Sequence, residues 1–112
     1  MYIFKSAVVG WLLMFAVEAS AGFTTWAKID QVVVHDHLGV MLVLNHSEAA
    51  ASQGCIIKNQ VVISPDHYLF ETAVSLALSA FHAESTARMW TTKCVTSGSH
   101  TYPQATRIDI KK

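Results

Sequence analysis

The N-terminal segment decides how large a domain this chain can build. A positive charge at Lys5 is followed by an apolar run over residues 7–17, and the run stops at Glu18. It is too short for a membrane helix, which needs roughly 20 apolar residues. Small residues then lead to Ala21, a pattern that signal peptidase accepts. We therefore predict a signal peptide over residues 1–21, with a retained membrane anchor as the alternative.

Removal of the signal peptide leaves residues 22–112, which suffice for one hydrophobic core but not for two. We predict a single domain that is exported through the inner membrane, is periplasmic or secreted, and has no stable membrane anchor. One of the eight basic and one of the eight acidic residues leave with the signal peptide, so the formal charge stays zero. Because phosphate binding needs clustered Lys and Arg, nucleic acid is excluded as the main partner.

Two cysteines, Cys55 and Cys94, lie in the exported part of the chain. Exported thiols enter an oxidising compartment, so a disulfide between them is predicted. A loop of about 40 residues closed in this way contributes roughly 4 kcal/mol in the chain-entropy model. The alternative is a reactive thiol or a metal site, but the sequence has no CxxC pair.

Five segments are rich in Val, Leu, Ile or Thr, or alternate between polar and apolar residues, as strands do. They are residues 29–35, 38–45, 60–64, 86–96 and 105–110. A break around Gly39 predicts a hairpin between the first two strands. Tyr102 and Pro103 predict a constrained corner before the last strand, in which Ile108 and Ile110 are expected to point inward.

One helix is predicted between the third and fourth strands. Ser64 is the expected N-cap, Pro65 suits the first helical position, and Asp66 faces the helix dipole, with the end near Ala83. The expected buried stripe comprises Leu69, Ala73, Leu76, Ala77 and Ala80, widened by Phe70, Val74 and Phe81.

The predicted fold is therefore mainly β with one helix, in the order β-β-β-α-β-β. This connectivity is typical of the OB-fold, a five-stranded, partly open barrel that binds oligomers on its face. The predicted domain boundaries are 1–21 for the signal peptide and 22–112 for the OB-fold-like binding domain.

Six histidines raise the possibility of a metal site, and His35 and His37 are the best candidates. Residues two apart on a strand point to the same side. Zinc would still need a ligand from a distance, such as His46 or His100. A solvated hairpin turn is the simpler alternative, so neither a metal nor any other cofactor is predicted.

The sequence gives no sign of catalysis. It contains no GxSxG nucleophile motif, and its aspartates show no recognisable spacing for paired acid and base carboxylates. The aromatic residues indicate binding instead. Trp90, in the middle of a strand, is expected to pack in the core. Trp26 and Tyr102 lie in less regular segments and are the predicted ligand contacts.

Several short segments resemble the receptor-binding B subunits of subtilase cytotoxin and related pertussis-like toxins. They are CIIKN at residues 55–59, the helix with Phe70 and Ala77, residues 87–90, and residues 101–103. Together they cover about half of residues 22–112. The resemblance implies an OB-fold, a homopentameric ring, an A-type subunit as partner, and recognition of host glycans that often end in sialic acid.

This chain departs from the toxin B-subunit pattern in three places. The partner of the cysteine at Cys55 lies on the second strand in that family, where this chain has none. The C-terminal tail of the family is missing. Its sugar-binding serine falls near Thr25 and Trp26, so Thr25 is the expected substitute.

The first hypothesis is a non-catalytic, homo-oligomeric binding module for a glycan or a protein. The second is a periplasmic accessory protein that contacts another protein through its apolar helix. The third is a histidine-based metal-binding protein.

Overall fold

The computed structural model describes residues 21–112. The predicted signal peptide lies outside these residues, apart from Ala21. Within the described part of the chain, no helix combines the length and the apolar character needed to cross a membrane.

Six strands and one α-helix make up the described fold. They are β1 (Gly22–Phe23), β2 (Ala27–His35), β3 (Gly39–Leu44), β4 (Gln60–Ile63), α1 (Phe70–Ala83), β5 (Thr86–Ser97) and β6 (His100–Lys111). A short 3₁₀ turn, Ala51–Gln53, lies between β3 and β4. The prediction of a mainly β protein with one helix before the last two strands is confirmed. Strand β1 was not predicted.

The six strands form one sheet in the order β1-β5-β2-β3-β4-β6, and β6 also pairs with β5. The hairpin of β5 and β6 is long, with eleven residue pairs. Strands β2 and β5 join through two residue pairs, and the parallel contact of β4 with β6 also has two. The sheet therefore curls back on itself, but with two short junctions it is not a regular barrel.

The main core lies between the curled sheet and α1. Leu42, Val61 and Met89 are fully buried there, and Ala77 and Ala80 bring the helix against the sheet. These two small side chains allow a close approach of helix and strands. Ile108 and Ile110 pack against this core, as predicted.

The hairpin between β2 and β3 depends on Gly39, which has φ +109°. A Cβ at this position would collide with the carbonyl oxygen of Ile63 and come within 2.7 Å of Cδ of Pro65. Glycine therefore satisfies both the backbone conformation and the close approach of the neighbouring strand.

The helix begins five residues later than predicted. The Ser64 hydroxyl accepts a hydrogen bond from the backbone N–H of Asp66, and the carbonyl of Ser64 accepts one from His67. The Nδ1 atom of His67 in turn accepts the N–H of Leu69. These bonds close turns that precede the helix. Leu69 is therefore the N-cap residue, and its side chain makes no capping hydrogen bond. The predicted end near Ala83 is confirmed, because Glu84 adopts φ 54° there.

The predicted buried stripe is also too wide. Leu69 is 44% exposed and Leu76 is 43% exposed. Only Ala77 and Ala80 are buried, while Phe70, Val74 and Phe81 pack against the core at the margins of the contact. Because the contact is made through alanines, it is narrow, and the larger leucines fall outside it.

The predicted corner at Tyr102 and Pro103 is wrong, because both residues lie inside β6. The tight turn at Gly98 (φ 63°) folds β6 back on β5 at once, and Pro103 pairs with Cys94 and is fully buried. The pairing of the hairpin therefore continues through the proline.

The predicted disulfide is confirmed: Cys55 and Cys94 are bonded, with 5.7 Å between their Cα atoms. It joins the loop after the 3₁₀ turn to β5. The same loop is held to β6, because Ile56 donates its backbone N–H to the hydroxyl of Thr101 (2.8 Å) and Ile57 to the Thr101 carbonyl (2.9 Å).

Candidate functional site

A group of aromatic and charged side chains covers the outer surface of β5 and β6 beside the N-terminal segment. Side chains alternate along a strand, so Arg88 and Trp90 lie opposite to the buried Ala87 and Met89. On β6, Asp109 pairs with Arg88, which places both on the same surface. The surface, here named the aromatic–cationic face, comprises Phe23, Trp26, Arg88, Trp90, Arg107, Asp109 and Lys111.

The aromatic rings of the N-terminal segment are held on this face by a buried threonine. Thr24 is 4% exposed. Its backbone N–H donates to the carbonyl of Met89 (2.8 Å), and its hydroxyl accepts the N–H of Met89 (3.0 Å). Because Thr24 faces inward, its neighbour Phe23 faces outward, where it pairs with Trp90 on β5.

Cations and rings alternate across the face. The guanidinium carbon of Arg88 lies 3.8 Å from the ring centre of Phe23 and 4.8 Å from that of Trp26. Lys111 lies 4.3 Å from the Trp26 ring, and Trp90 meets Phe23 edge-on at 4.9 Å. These distances are those of cation–π contacts and of an edge-to-face aromatic pair.

One carboxylate organises the arginines. Asp109 accepts two hydrogen bonds from Arg107 (2.8 and 3.2 Å) and one from Arg88 (3.0 Å). The bond from Arg107, supported by the bond from Arg88 and by both positive charges, holds the pKa of Asp109 below its ordinary value against the opposing effect of desolvation. With Lys111, three cations face one carboxylate, so the face carries a net positive charge.

The structure separates the three predicted ligand contacts. Trp26 belongs to the aromatic–cationic face, and the exposed Thr25 stands beside it, its backbone N–H bonded to the carbonyl of Ala49 (3.0 Å). Tyr102 packs instead against a second apolar cluster of Leu38, Met41 and Val62. Its ring lies 6.4 Å from that of His100.

The prediction that Trp90 packs in the core is wrong. The ring is half-buried and contacts Phe23 on the outer surface. The inner side of the strand at this point belongs to Met89, which is fully buried.

The histidine pair forms part of a turn. Nδ1 of His35 accepts the backbone N–H groups of His37 (3.1 Å) and Leu38 (3.2 Å), so the lone pair needed for a metal at this atom is engaged. Across residues 21–112, no group of three or more metal-ligating side chains is assembled.

Comparisons with protein-family models, with curated proteins and with solved structures find no match for this chain. Nothing in them links it to toxin B subunits, so that likeness rests on the short segments of sequence alone.

Apart from Trp90, which was assigned to the core, five members of the face were not predicted as site residues: Phe23, Arg88, Arg107, Asp109 and Lys111. The alternation within residues 86–96 puts Arg88 and Trp90 on the same side of the predicted strand, and this was a usable signal. The matching residues on β6 could have been found in the same way, because Arg107, Asp109 and Lys111 alternate with the inward-facing Ile108 and Ile110. Phe23 gave no signal, because a strand of two residues has no detectable period.

Proposed function

We propose that this protein is an exported, non-catalytic binding module that recognises an acidic glycan on the aromatic–cationic face. The observation that carries the proposal is the stack of Phe23, Arg88, Trp26 and Lys111 on the outside of the sheet. Sugars bind aromatic rings through their C–H groups, and guanidinium groups bind carboxylate or sulfate with paired hydrogen bonds.

Exposure and charge favour an anionic ligand. Arg107 keeps 60% of its side chain exposed although it pairs with Asp109. Lys111 is exposed at the end of β6. Both cations are therefore accessible to an acidic group of a ligand. Asp109 holds the Arg107 guanidinium in a fixed direction.

The arrangement of strands supports the same proposal. Pairing runs from β5 through β2, β3, β4 and β6 and returns to β5, and the helix lies between β4 and β5 in the chain. We propose that the circuit is an OB-type barrel with short junctions, a fold that binds oligosaccharides. The resemblance to toxin B subunits implies sugar contacts near Thr25 and Trp26, where the face lies. It also implies a homo-oligomer, in its fullest form a homopentamer that binds an A-type subunit.

A glycan array compared with matched variants tests the proposal. The processed protein is expected to bind sialylated or sulfated glycans and to ignore their neutral counterparts. Arg107→Gln is expected to weaken binding about tenfold or more, and Trp26→Leu likewise, because each removes one element of the face. Lys58→Gln is the control, since Lys58 pairs with Glu48 and is not a member of the face.

Rising salt should weaken binding to the acidic glycans, because the contact depends on charge. Equal binding of neutral and acidic glycans, or an Arg107 variant that binds like the Lys58 control, would contradict the proposal.

A second candidate function follows from the outer side of α1. Tyr68 (87% exposed) and Leu69 directly before α1, and Leu76 on the same flank of the helix as Leu69, leave apolar surface uncovered in the described chain. We propose as the alternative a periplasmic accessory protein that binds another protein there. Co-purification from the periplasm decides between the two: a partner lost in Leu76→Ser but kept in Trp26→Leu, without glycan binding, supports this second function.

A further inference from the structure

The C-terminal half of β6 has an unpaired edge. On one side β6 pairs with β5 along its whole length, but on the other it pairs with β4 only at Gln104 and Ala105. Because β4 ends at Ile63, no strand within residues 21–112 pairs with β6 beyond Ala105 on that side. Alternate residues of such a strand point their N–H and C=O groups outward. Residues 106–110, here named the open edge, therefore offer hydrogen bonds to a further strand.

A groove of about 210 Å³ lies between the open edge and the first half of α1. It is lined by Ile108 from the strand and by Leu69, Ala73 and Leu76 from the helix and its N-cap. A smaller pocket that shares Ala73 and Ile108 continues inward to the buried Met89. Small-molecule sites usually occupy roughly 300–1,000 Å³, so this groove suits a few side chains better than a whole ligand.

The helix wall of the groove has the length of a short extended segment. Leu69 and Leu76 are 44% and 43% exposed, and they lie seven residues apart on one flank of the helix. At about 1.5 Å per residue they are separated by about 10 Å, which equals about three residues of a strand. A strand beside β6 would therefore bring alternate side chains against both leucines.

We propose that the open edge binds an extended segment of a partner protein, which adds to the sheet as a strand beside β6. Main-chain hydrogen bonds hold such a segment, and its alternate side chains determine which segment fits. The groove adjoins the apolar flank of α1, so the proposal rests on the second candidate function and specifies the form in which the partner is bound. It does not depend on glycan binding.

The charge along β6 selects an acidic segment. Ile108 and Ile110 face the core, so the side chains of an added strand that lie beside them point into the groove. The intervening side chains lie on the outer surface beside Arg107, which is 60% exposed, and the exposed Lys111. Asp109 already accepts hydrogen bonds from two arginines. The favoured segment therefore alternates apolar residues with glutamate or aspartate.

A fluorescein-labelled hexapeptide of alternating valine and glutamate is the probe, and its binding to the processed protein is followed by fluorescence anisotropy. Saturable binding is expected, tighter by about tenfold or more than that of the matched valine–lysine peptide. Two further peptides carry methyl groups on alternate backbone nitrogens, one in each phase. Because only one edge of the segment pairs with β6, one of them should bind like the parent peptide and the other about tenfold or more weakly.

The matched pair of protein variants is Leu76→Ser and Leu78→Ser. Both leucines belong to α1 and are similarly exposed, at 43% and 39%. Two residues of helix turn through roughly 200°, so Leu78 lies away from the groove. Leu76→Ser is expected to weaken peptide binding about tenfold or more, whereas Leu78→Ser and Trp26→Leu should bind like the wild type. The comparison of the methylated peptides uses the unmodified protein and does not depend on the folding of a variant.

Absence of saturable binding, an equal effect of the two methylation patterns, or equal affinity for the valine–lysine peptide would each overturn the proposal. A natural partner that is lost in Leu76→Ser, together with equal binding of both methylated peptides, would leave the second candidate function standing without strand addition. If the protein sediments as an oligomer that excludes the peptide, a second copy occupies the open edge and the proposal also fails.

Discussion

Replacing Arg88 with methionine removes the central cation of the aromatic–cationic face and keeps a long, flexible side chain. The arginine lies 3.8 Å from the Phe23 ring and 4.8 Å from the Trp26 ring, and its Nε is 3.0 Å from Asp109. One substitution thus breaks three contacts that hold the N-terminal segment and β6 onto β5. We expect Arg88→Met to fold but to be clearly less stable.

The size of the loss follows from the exposure of these contacts. A cation–π pair at a partly exposed site contributes about 0.5–1 kcal/mol, which gives about 1–2 kcal/mol for the two rings. The ion pair is partly shielded, with 32% of the Arg88 side chain and 19% of the Asp109 side chain exposed, so it adds at most about 1 kcal/mol after screening. Asp109 keeps its bonds to Arg107. A total of about 2 kcal/mol corresponds to a fall in Tm of roughly 8–16 °C for a domain of this size.

Calorimetric melting of Arg88→Met, Trp26→Leu and the double variant measures this contribution. A coupling free energy of about 0.5–1 kcal/mol between the two positions is expected, since the ring and the cation stabilise the fold only together. Lys93→Met, an exposed lysine on the same strand, is the control. If Arg88→Met is no less stable than the control, or if the two substitutions add without coupling, the stack does not contribute to stability and the reasoning is refuted.

Three further predictions concern the disulfide, Asp109 and Gly39. Replacing Cys55 and Cys94 together by alanine should lower the free energy of unfolding by up to about 4 kcal/mol, measured by urea titration; an unchanged midpoint would contradict this. Because Asp109 has a lowered pKa in the folded protein, its stabilising effect should be complete above the ordinary pKa of 3.8 and be lost as pH falls from there towards the folded pKa. Urea titrations from pH 5 to 2 should show this loss of stability, and the loss should be smaller in Asp109→Asn. Gly39→Ala should lower Tm at least twice as much as Gly98→Ala, since both have positive φ but only Gly39 lacks space for a Cβ; equal losses would show that the collision is relieved.

Local patterns were enough to find most of the sheet. The runs of Val and Leu in β2 and β3 and the alternation in β5 survive in the structure with their ends displaced by one or two residues. Strands of this kind have one buried side, and a period of two residues is visible without knowledge of the partner strand. The pairing of Cys55 with Cys94 was likewise predictable, because only two cysteines are present.

Local signals failed where two structures compete for the same residues. Ser64, Pro65 and Asp66 form a good helix start in isolation, yet Ser64 and His67 use their polar atoms to close turns before the helix. The proline at position 65 packs beside Gly39 on the neighbouring hairpin, a contact between residues 26 positions apart that the spacing along the chain does not reveal.

The aromatic–cationic face shows the same difference between what residue type indicates and what only the pairing of strands decides. Trp26 could be selected from its residue type, whereas its neighbours Arg88 and Lys111 come from two other strands and reach it only through the pairing of β5 with β6. Tyr102 was selected by the same rule and lies in a different cluster. Residue type therefore indicated which side chains suit binding, and the register of the sheet determined which of them meet.

The amino-acid sequence by itself determined a mainly β domain with one helix and one disulfide, because strand period, helix period and cysteine number are properties of neighbouring or unique residues. The tertiary structure alone decided the short strand β1, the late start of the helix, and the stacking of Arg88 on Phe23 and Trp26. These features join residues far apart in the chain, and their free energy exists only after the hairpin and the curled sheet have brought the partners together.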